Sequence, residues 1–379
     1  MDESMVANRT RYRTAVMMFF FSHGIIFSSW ASRIPFIKEK FGFTEGELGN
    51  LLLMIPVGQL LTMPLVGKLV SKYGSHKILS IGLFFYALML IGIGLAPTTW
   101  TLAGVLMLFG VFSNMCNIST NTQGVIVENL YGRSIMTSFH GGWSIAGFFG
   151  ALFGMVMIRL DVATWIHFAI SFGMVFLMWL WASRNLIAEE KKAEEKKSTG
   201  FKMDLTLVIL GVIGFCSMAV EGAMFDWSGV YFQEIVQVAK ENVILGYTSF
   251  MIMMASGRFI GDKVIQKIGK KLTLQISGIL MFVGMGISVF IPEMVPCMIA
   301  FMLVGVGVAC NVPVVYSIAG RHKTIESGIA ITMVSSISFL GFLMGPPLIG
   351  YIAELSDLRY SFGIFALFGI LMTVLARRV

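Results

Sequence analysis

A chain of 379 residues in which 56% of side chains are hydrophobic and 13% charged, with a mean hydropathy of +0.81, lies far outside the composition of soluble domains. Its apolar runs are of helix length and do not alternate, which excludes a β-barrel and leaves an all-α membrane protein of many spans. The net charge of +7 is not a nucleic-acid footprint, because the basic residues gather between spans on one side.

Twelve spans are predicted, near 14–34, 48–70, 77–96, 101–126, 137–158 and 163–183, then 204–228, 245–266, 272–291, 296–319, 327–352 and 360–376. The first has no small-residue cleavage site and is long enough to remain as a span rather than a signal peptide. It carries His23 near its middle and Arg33 at its outer end. Span 4 is unusually polar. Asn114, Asn117 and Asn121 recur there at i, i+3 and i+7 and so share one helix face, with Gln123 close by. Amides donate and accept, which suits a neutral, hydroxyl-rich solute. Interhelical glue worth about 0.6–2 kcal/mol per contact is the alternative; a stripe of three, with Asn311 as its counterpart in span 10, predicts a cavity wall.

After span 4, Glu128 and His140 flank a cytoplasmic hairpin. With Arg133 they form either an inner gate or a set of solvated charges. Trp143 in span 5 is read as a surface on which a sugar ring stacks, whereas Trp30 and Trp227 read as an interfacial aromatic belt. The glycines of span 5 serve close packing, and Pro346 and Pro347 are expected to loosen span 11. The segment 186–203, with its Glu-Glu-Lys-Lys blocks, reads as a charged cytoplasmic tether between bundles at 1–185 and 204–379.

Span 7 holds Glu221 and Asp226. An ionisable residue inside a span is a functional candidate by default, since a mid-bilayer charge costs about 2.5–3.5 kcal/mol. Glu221 is the expected proton carrier, with His23, its counterpart in span 1, as partner; a fixed ion pair is the structural alternative. Five residues turn Asp226 roughly 140° from Glu221, so a gate pair with Arg33 and a water-facing charge both stand open for it. Arg258, in span 8, is expected to pair with Asp262 one turn on.

The chain also repeats itself. Cys116-Asn117 returns as Cys310-Asn311 and Ser144-x-x-Gly147-Phe148 as Ser338-x-x-Gly341-Phe342, both at an offset of 194, while Gly74 returns as Gly269 at 195. Duplicated halves in so apolar a chain point to a transporter that alternates access around a midplane site. Outer segments hold only Arg33, Lys38, Lys40, Arg159, Lys240 and Arg359 as basic residues, so both termini are expected in the cytoplasm. The four cysteines match neither a disulfide framework nor a metal site. No nucleotide-binding, zinc-protease or nucleophile-elbow motif is present; neither enzymatic activity, metal nor cofactor is expected.

The first cytoplasmic hairpin, Gly67-Lys68-Leu69-Val70-Ser71-Lys72-Tyr73-Gly74-Ser75-His76-Lys77, resembles the signature loop of the major facilitator superfamily. Gly67, Leu69, Lys72, Gly74 and Lys77 fit its pattern; Ser71 stands where that family carries an Asp that helps latch the cytoplasmic side. His140-Gly141-Gly142-Trp143-Ser144, Glu221 to Trp227, Gly345 to Gly350 and Ser29 to Arg33 are similar to the YbjJ-like bacterial inner-membrane branch, loosely related to fucose–proton symporters. The resemblance implies two pseudo-twofold-related six-helix bundles and a monomer in the bacterial cytoplasmic membrane. The resemblance names no substrate; the amide stripe with Glu221 and His23 leads to the expectation of proton-coupled uptake of a small polar solute, a sugar or sugar derivative. Efflux of amphipathic or cationic compounds is the alternative.

Overall fold

A computed structural model of the chain describes residues 8–131, 135–188, 204–319, 322, 325 and 327–379. Residues 189–203 of the tether and Arg133 lie outside the described residues, as do the side chains of Ser71 and Asp262. Fourteen α-helices follow in order among the described residues: α1 (Arg9–Phe41), α2 (Glu45–Leu52), α3 (Met54–Tyr73), α4 (Ser75–Leu95), α5 (Thr99–Tyr131), α6 (Met136–Arg159), α7 (Thr164–Ala182), α8 (Leu205–Glu234), α9 (Leu245–Ile268), α10 (Lys270–Phe290), α11 (Met294–Val308), α12 (Asn311–Ala319), α13 (Ser327–Leu355) and α14 (Leu358–Leu375). Among them, eleven stretches are long and apolar enough to cross a membrane. The remaining predicted span coincides with α3, 20 residues long, which carries Gln59, Thr62, Lys68 and Lys72.

Two predicted spans are broken helices, and proline explains both breaks. Pro56 sits in the first turn of α3 and cannot donate to the carbonyl of Leu52, where α2 ends. Pro313 sits in the first turn of α12 and cannot donate to Ala309, in the break after α11. Pro346 and Pro347, by contrast, do not interrupt α13, which runs on through both.

The chain divides into two compact units. Unit 1 comprises Met1–Arg33 and Met54–Glu194, and unit 2 comprises Ile34–Leu53 and Glu195–Val379. In unit 1 the core runs through Val16, Phe20, Val127 and Phe139, with the rings of Phe20 and Phe139 stacked at 5.5 Å. In unit 2 Tyr231, Phe301 and Phe362 form an aromatic cluster, and the buried Tyr231 hydroxyl donates to the Ser288 carbonyl at 2.7 Å.

The repeated glycine marks a repeated corner. Gly74 joins α3 to α4 with φ +87° and ψ 144°, and Gly269 joins α9 to α10 with φ +82° and ψ 162°. That backbone region is open to glycine almost alone. Gly67 lies in a helix with nothing near the place a Cβ would take.

Residues 34–53 belong to unit 2 although their chain neighbours belong to unit 1. A capping box between Thr44 and Glu47 starts α2, which packs against α13. Gly49 and Gly350 let the two backbones approach: a Cβ on Gly350 would stand 2.5 Å from the Glu45 carbonyl oxygen. Tyr351 donates to Asn50 Oδ1 at 2.7 Å. Lys38 donates to Glu45 Oε1 at 3.1 Å and to Glu234 of α8, and Lys240 pairs with Glu39 at 3.2 Å. Burial pushes the Glu45 carboxyl up, but a backbone hydrogen bond and Lys38 more than offset it, so it titrates below its ordinary value of 4.5.

Gly74→Ala and Gly269→Ala are each expected to cost about 1–3 kcal/mol and to lower the melting temperature of the purified protein, whereas Gly67→Ala is not. A carboxylate held below its unfolded value stabilises the fold above that value and loses the contribution as pH falls through the folded one. Glu45→Gln should therefore melt below wild type at neutral pH, with the gap closing under acid conditions below the ordinary Glu range.

Candidate functional site

Unit 1 gathers a polar cluster from four helices, α1, α3, α4 and α5. His23 of α1 places Nε2 3.4 Å from Ser113 Oγ of α5 and its ring edge-on to Tyr86 of α4 at 5.0 Å. Gln59 of α3 donates to Ser113 Oγ at 3.4 Å. Asn114 donates to the Gln59 carbonyl at 3.0 Å and to Thr62 Oγ1 at 3.3 Å. One turn further, Asn121 donates to both the carbonyl and the Oδ1 of Asn117, at 2.7 and 3.0 Å. Asn117 is exposed and Asn121 half-buried. Among the described residues Asn117 Nδ2 and Asn121 Oδ1 have no partner, so a donor and an acceptor stand ready side by side. The predicted stripe thus divides: Asn114 is committed to the neighbouring helix, while Asn117 and Asn121 remain available. Trp143 is half-buried, 6.2 Å from Phe27, at the edge of the core around Phe20 and Phe139.

Unit 2 holds an ion pair inside two spans. Arg258 Nη2 of α9 donates to Glu221 Oε1 of α8 at 3.1 Å, with 19% and 12% of the two side chains exposed. Tyr316 of α12 lies within electrostatic reach of Glu221. The expected pairing of Arg258 with Asp262 missed this partner, because residues 37 apart in sequence carry no local signal. Asp226 is 8% exposed and, among the described residues, its carboxylate has neither a hydrogen bond nor an ion pair.

Several predicted site residues have structural employment. Gln123 is no cavity residue: it is fully buried, donating to Ser75 Oγ at 2.7 Å and the Ile187 carbonyl at 2.8 Å, and accepting from the Ile187 N–H at 3.1 Å. Asn311 is likewise fully buried and clips α12 to Ser217 of α8 at 2.9 Å and to the Gly307 carbonyl at 2.8 Å. Glu128 accepts from the N–H groups of Ile135 and Met136 at 2.7 and 2.9 Å, capping α6 with negative charge where the helix dipole favours it. Arg33 is 4% exposed, donating to His167 Nδ1 at 3.1 Å and to the Val162 carbonyl at 2.8 Å. It is therefore not a water-facing charge. Trp30 and Trp227 are fully buried and form no interfacial belt. His140 is exposed and meets Phe20 edge-on at 5.1 Å. Lys72, at the end of α3, lies over the Tyr73 ring at 5.1 Å.

Sequence reasoning overlooked Gln59, Thr62 and Tyr86. Gln59 and Thr62 carry a faint signal, two polar residues three apart in a predicted span. Tyr86 carries none, because it is one aromatic among many.

Over residues 15–322 and 238–379 the chain matches the Major Facilitator Superfamily. It is 31% identical over 357 residues to an uncharacterized MFS-type transporter of Yersinia pestis, covering 94% of this chain and 92% of that one. It is 31% identical over 342 residues to the membrane protein MosC of Rhizobium meliloti, covering 90% and 83%. The fold matches the crystal structure of a mutant of the nucleoside transporter NupG with a TM-score of 0.81 at 11% identity, over 97% of this chain and 99% of that one. It matches a bacterial homolog of the human lysosomal transporter Spinster, in an inward-facing and occupied conformation, with a TM-score of 0.76 at 12% identity, over 97% and 96%.

Gln123→Ala should lower the melting temperature, at a cost of about 1–3 kcal/mol for the polar groups it orphans, and leave solute selectivity unchanged. Asn117→Ala should leave the melting temperature unchanged and raise the transport KM roughly tenfold, the worth of one or two hydrogen bonds.

Proposed function

The chain belongs to the Major Facilitator Superfamily and is a secondary transporter, not an enzyme; we propose that it takes up a small polar, hydroxylated solute together with protons, by alternating access. The observation that carries the coupling is the Glu221–Arg258 pair, held at 3.1 Å inside two apolar helices. Desolvating two charges is costly, and a span that keeps them does so where an ion path or a substrate needs them. Glu221 is the proton carrier in this reading, because its carboxyl can exist with or without charge and a ligand that prefers one form is thereby linked to the other. His23, hydrogen-bonded within unit 1 to Ser113, is a second candidate for proton handling.

Asn117 and Asn121 supply the hydrogen-bonding surface for solute hydroxyls, and Trp143 is proposed as a ring face for stacking. Sugars and sugar derivatives fit that chemistry; nucleosides share the same hydroxyls. The motifs at His140–Ser144 and Glu221–Trp227 support placement in the YbjJ-like branch. The basic segments support a bacterial cytoplasmic membrane location with both termini inside. The repeat supports functional halves at 1–185 and 204–379, joined by the charged tether and working as a monomer.

A second reading, efflux of cationic or amphipathic compounds, is favoured by Asp226, whose carboxylate is buried and without a partner among the described residues. Met-rich helices provide an adaptable apolar wall for such cargo.

In proteoliposomes loaded with an imposed pH gradient, Glu221→Gln should abolish solute accumulation while solute–solute exchange continues. Accumulation that survives the substitution removes Glu221 as the coupling residue.

A further inference from the structure

The opening turns of α1 present a stripe that solute handling does not use. Thr10, Arg13, Thr14, Met17, Met18 and Phe21 recur at alternating spacings of three and one, so they share one helix face. With Met178 of α7 they line a crevice of about 500 Å³, inside the range of small-molecule sites, about 300–1,000 Å³. Ser22 Oγ lies 3.9 Å from Met178 Sδ, which sets the two helices side by side at the inner end. At the other end Leu186 and Ile187, just past α7, pack in one core with Tyr12 and Val16. Leu177 and Trp181, beside Met178, are 69% and 41% exposed. Apolar side chains exposed on a spanning helix meet lipid tails, so this stretch of α7 borders the bilayer.

The stripe changes character along the helix axis. Its outer turn carries the Arg13 guanidinium with the hydroxyls of Thr10 and Thr14; its inner end is Met17, Met18 and Phe21, closed by Met178. The guanidinium is steadied but not neutralised. Arg13 Cζ stands over the Tyr131 ring of α5 at 5.6 Å, and that of Arg9, one turn earlier, over the same ring at 5.2 Å. An aromatic face holds a guanidinium by its plane and leaves the in-plane N–H donors open. Among the described residues no carboxylate pairs with Arg9, Arg11 or Arg13, nor with Arg184, exposed just past α7. The lining of the crevice contains one cation and no carboxylate.

We infer that this crevice binds an anionic phospholipid, with its phosphate on Arg13 and Thr10 and one acyl chain along Met17, Met18, Phe21 and Met178. Thr14 already donates to the Thr10 carbonyl at 2.9 Å, which leaves the guanidinium and the Thr10 hydroxyl as donors. A guanidinium fork matches phosphate oxygens in pairs, and basic pockets between spanning helices suit anionic headgroups. An acyl chain asks only for an apolar wall, and flexible thioethers adapt to one. The two halves also stand in the order a lipid requires. Arg13 lies near the start of α1, at headgroup level, and Phe21, eight residues on, lies about 12 Å deeper. A free anion would use only the first half and a neutral apolar molecule only the second. The site requires only that the chain spans a membrane, so it stands apart from the choice of solute.

The rival occupants are acidic pieces of the same chain, Asp2 and Glu3 before α1 and Glu189, Glu190, Glu194 and Glu195 after α7, all outside the described residues. The test uses the purified full-length protein, delipidated in detergent and titrated with dioleoylphosphatidylglycerol, dioleoylphosphatidylcholine or inorganic phosphate. Bound lipid is counted by native mass spectrometry, and the melting temperature is followed in parallel. Phosphatidylglycerol should be retained as one tight equivalent and raise the melting temperature. Phosphatidylcholine should bind roughly tenfold more weakly, and millimolar phosphate should leave the melting temperature unchanged. Arg13→Gln should lose roughly tenfold in phosphatidylglycerol affinity, the worth of a hydrogen bond to a charged group, and Arg13→Lys should recover part of it. Arg13 also stacks on Tyr131, so Thr14→Glu, at an exposed position, is the second variant. It should weaken phosphatidylglycerol binding without moving the melting temperature of the lipid-free protein. Met18→Trp, which fills the apolar end, should weaken both lipids.

Equal retention of the two lipids, with Arg13→Gln and Thr14→Glu both without effect, would overturn the proposal, as would retention of neither. Stabilisation by phosphate as strong as by phosphatidylglycerol would overturn it in favour of a free-anion site. Phosphatidylglycerol binding that appears only when residues 2–7 are deleted, or when the four tether glutamates are changed to Gln, would assign the crevice to the chain's own acidic segments and overturn it as well.

Discussion

In the apolar interior of a bilayer there is no water to complete a hydrogen bond, so each backbone and side-chain polar group must find its partner within the protein. This constraint shapes the architecture. It makes every apolar run a helix, whose backbone satisfies itself, and it turns each polar side chain inside a helix into a question of where its partner lies. Most find structural answers. Gln123 closes on the backbone of Ile187, Asn311 on Ser217 and Gly307, and Arg33 on His167 and Val162. Among the described residues, those that carry the functional argument are Asn117 and Asn121, the Glu221–Arg258 pair, and Asp226.

The same accounting separates polar groups that hold helices together from those left available in the described structure. Asn114 and Asn117 are indistinguishable as letters three apart on one helix face. Asn114 is buried against Gln59 and Thr62, whereas the Asn117 amide donors have no partner among the described residues. Asn117 and Asn311 occupy equivalent places in the repeat, yet Asn117 is exposed and Asn311 fully buried. The repeated residue thus meets two different environments.

Residues 34–53 show a related division along the chain. They group with unit 2, and their limits fall close to Pro35, inside α1, and at Leu53, the break between α2 and α3. Both are places where the helical hydrogen-bond ladder is already weakened by a missing proline N–H. The docking is ionic through Lys38 and steric through Gly49 and Gly350, which allow two backbones to meet.

The sequence by itself determined the all-helical, multi-span character, the duplication and the superfamily, because these follow from composition, helix-length apolarity and motifs that recur at fixed offsets. It also pointed to the Gly74 and Gly269 corners, since a backbone conformation open only to glycine leaves its mark on one letter. It did not determine that Glu221 pairs with Arg258, that Gln123 is a clip, that Trp30 and Trp227 are interior, or that residues 34–53 join unit 2. Those were decided by tertiary structure, for one physical reason. A polar side chain's role depends on which partner comes within about 3 Å of it, and partners dozens of residues away are chosen by helix packing, which no local pattern in the chain records.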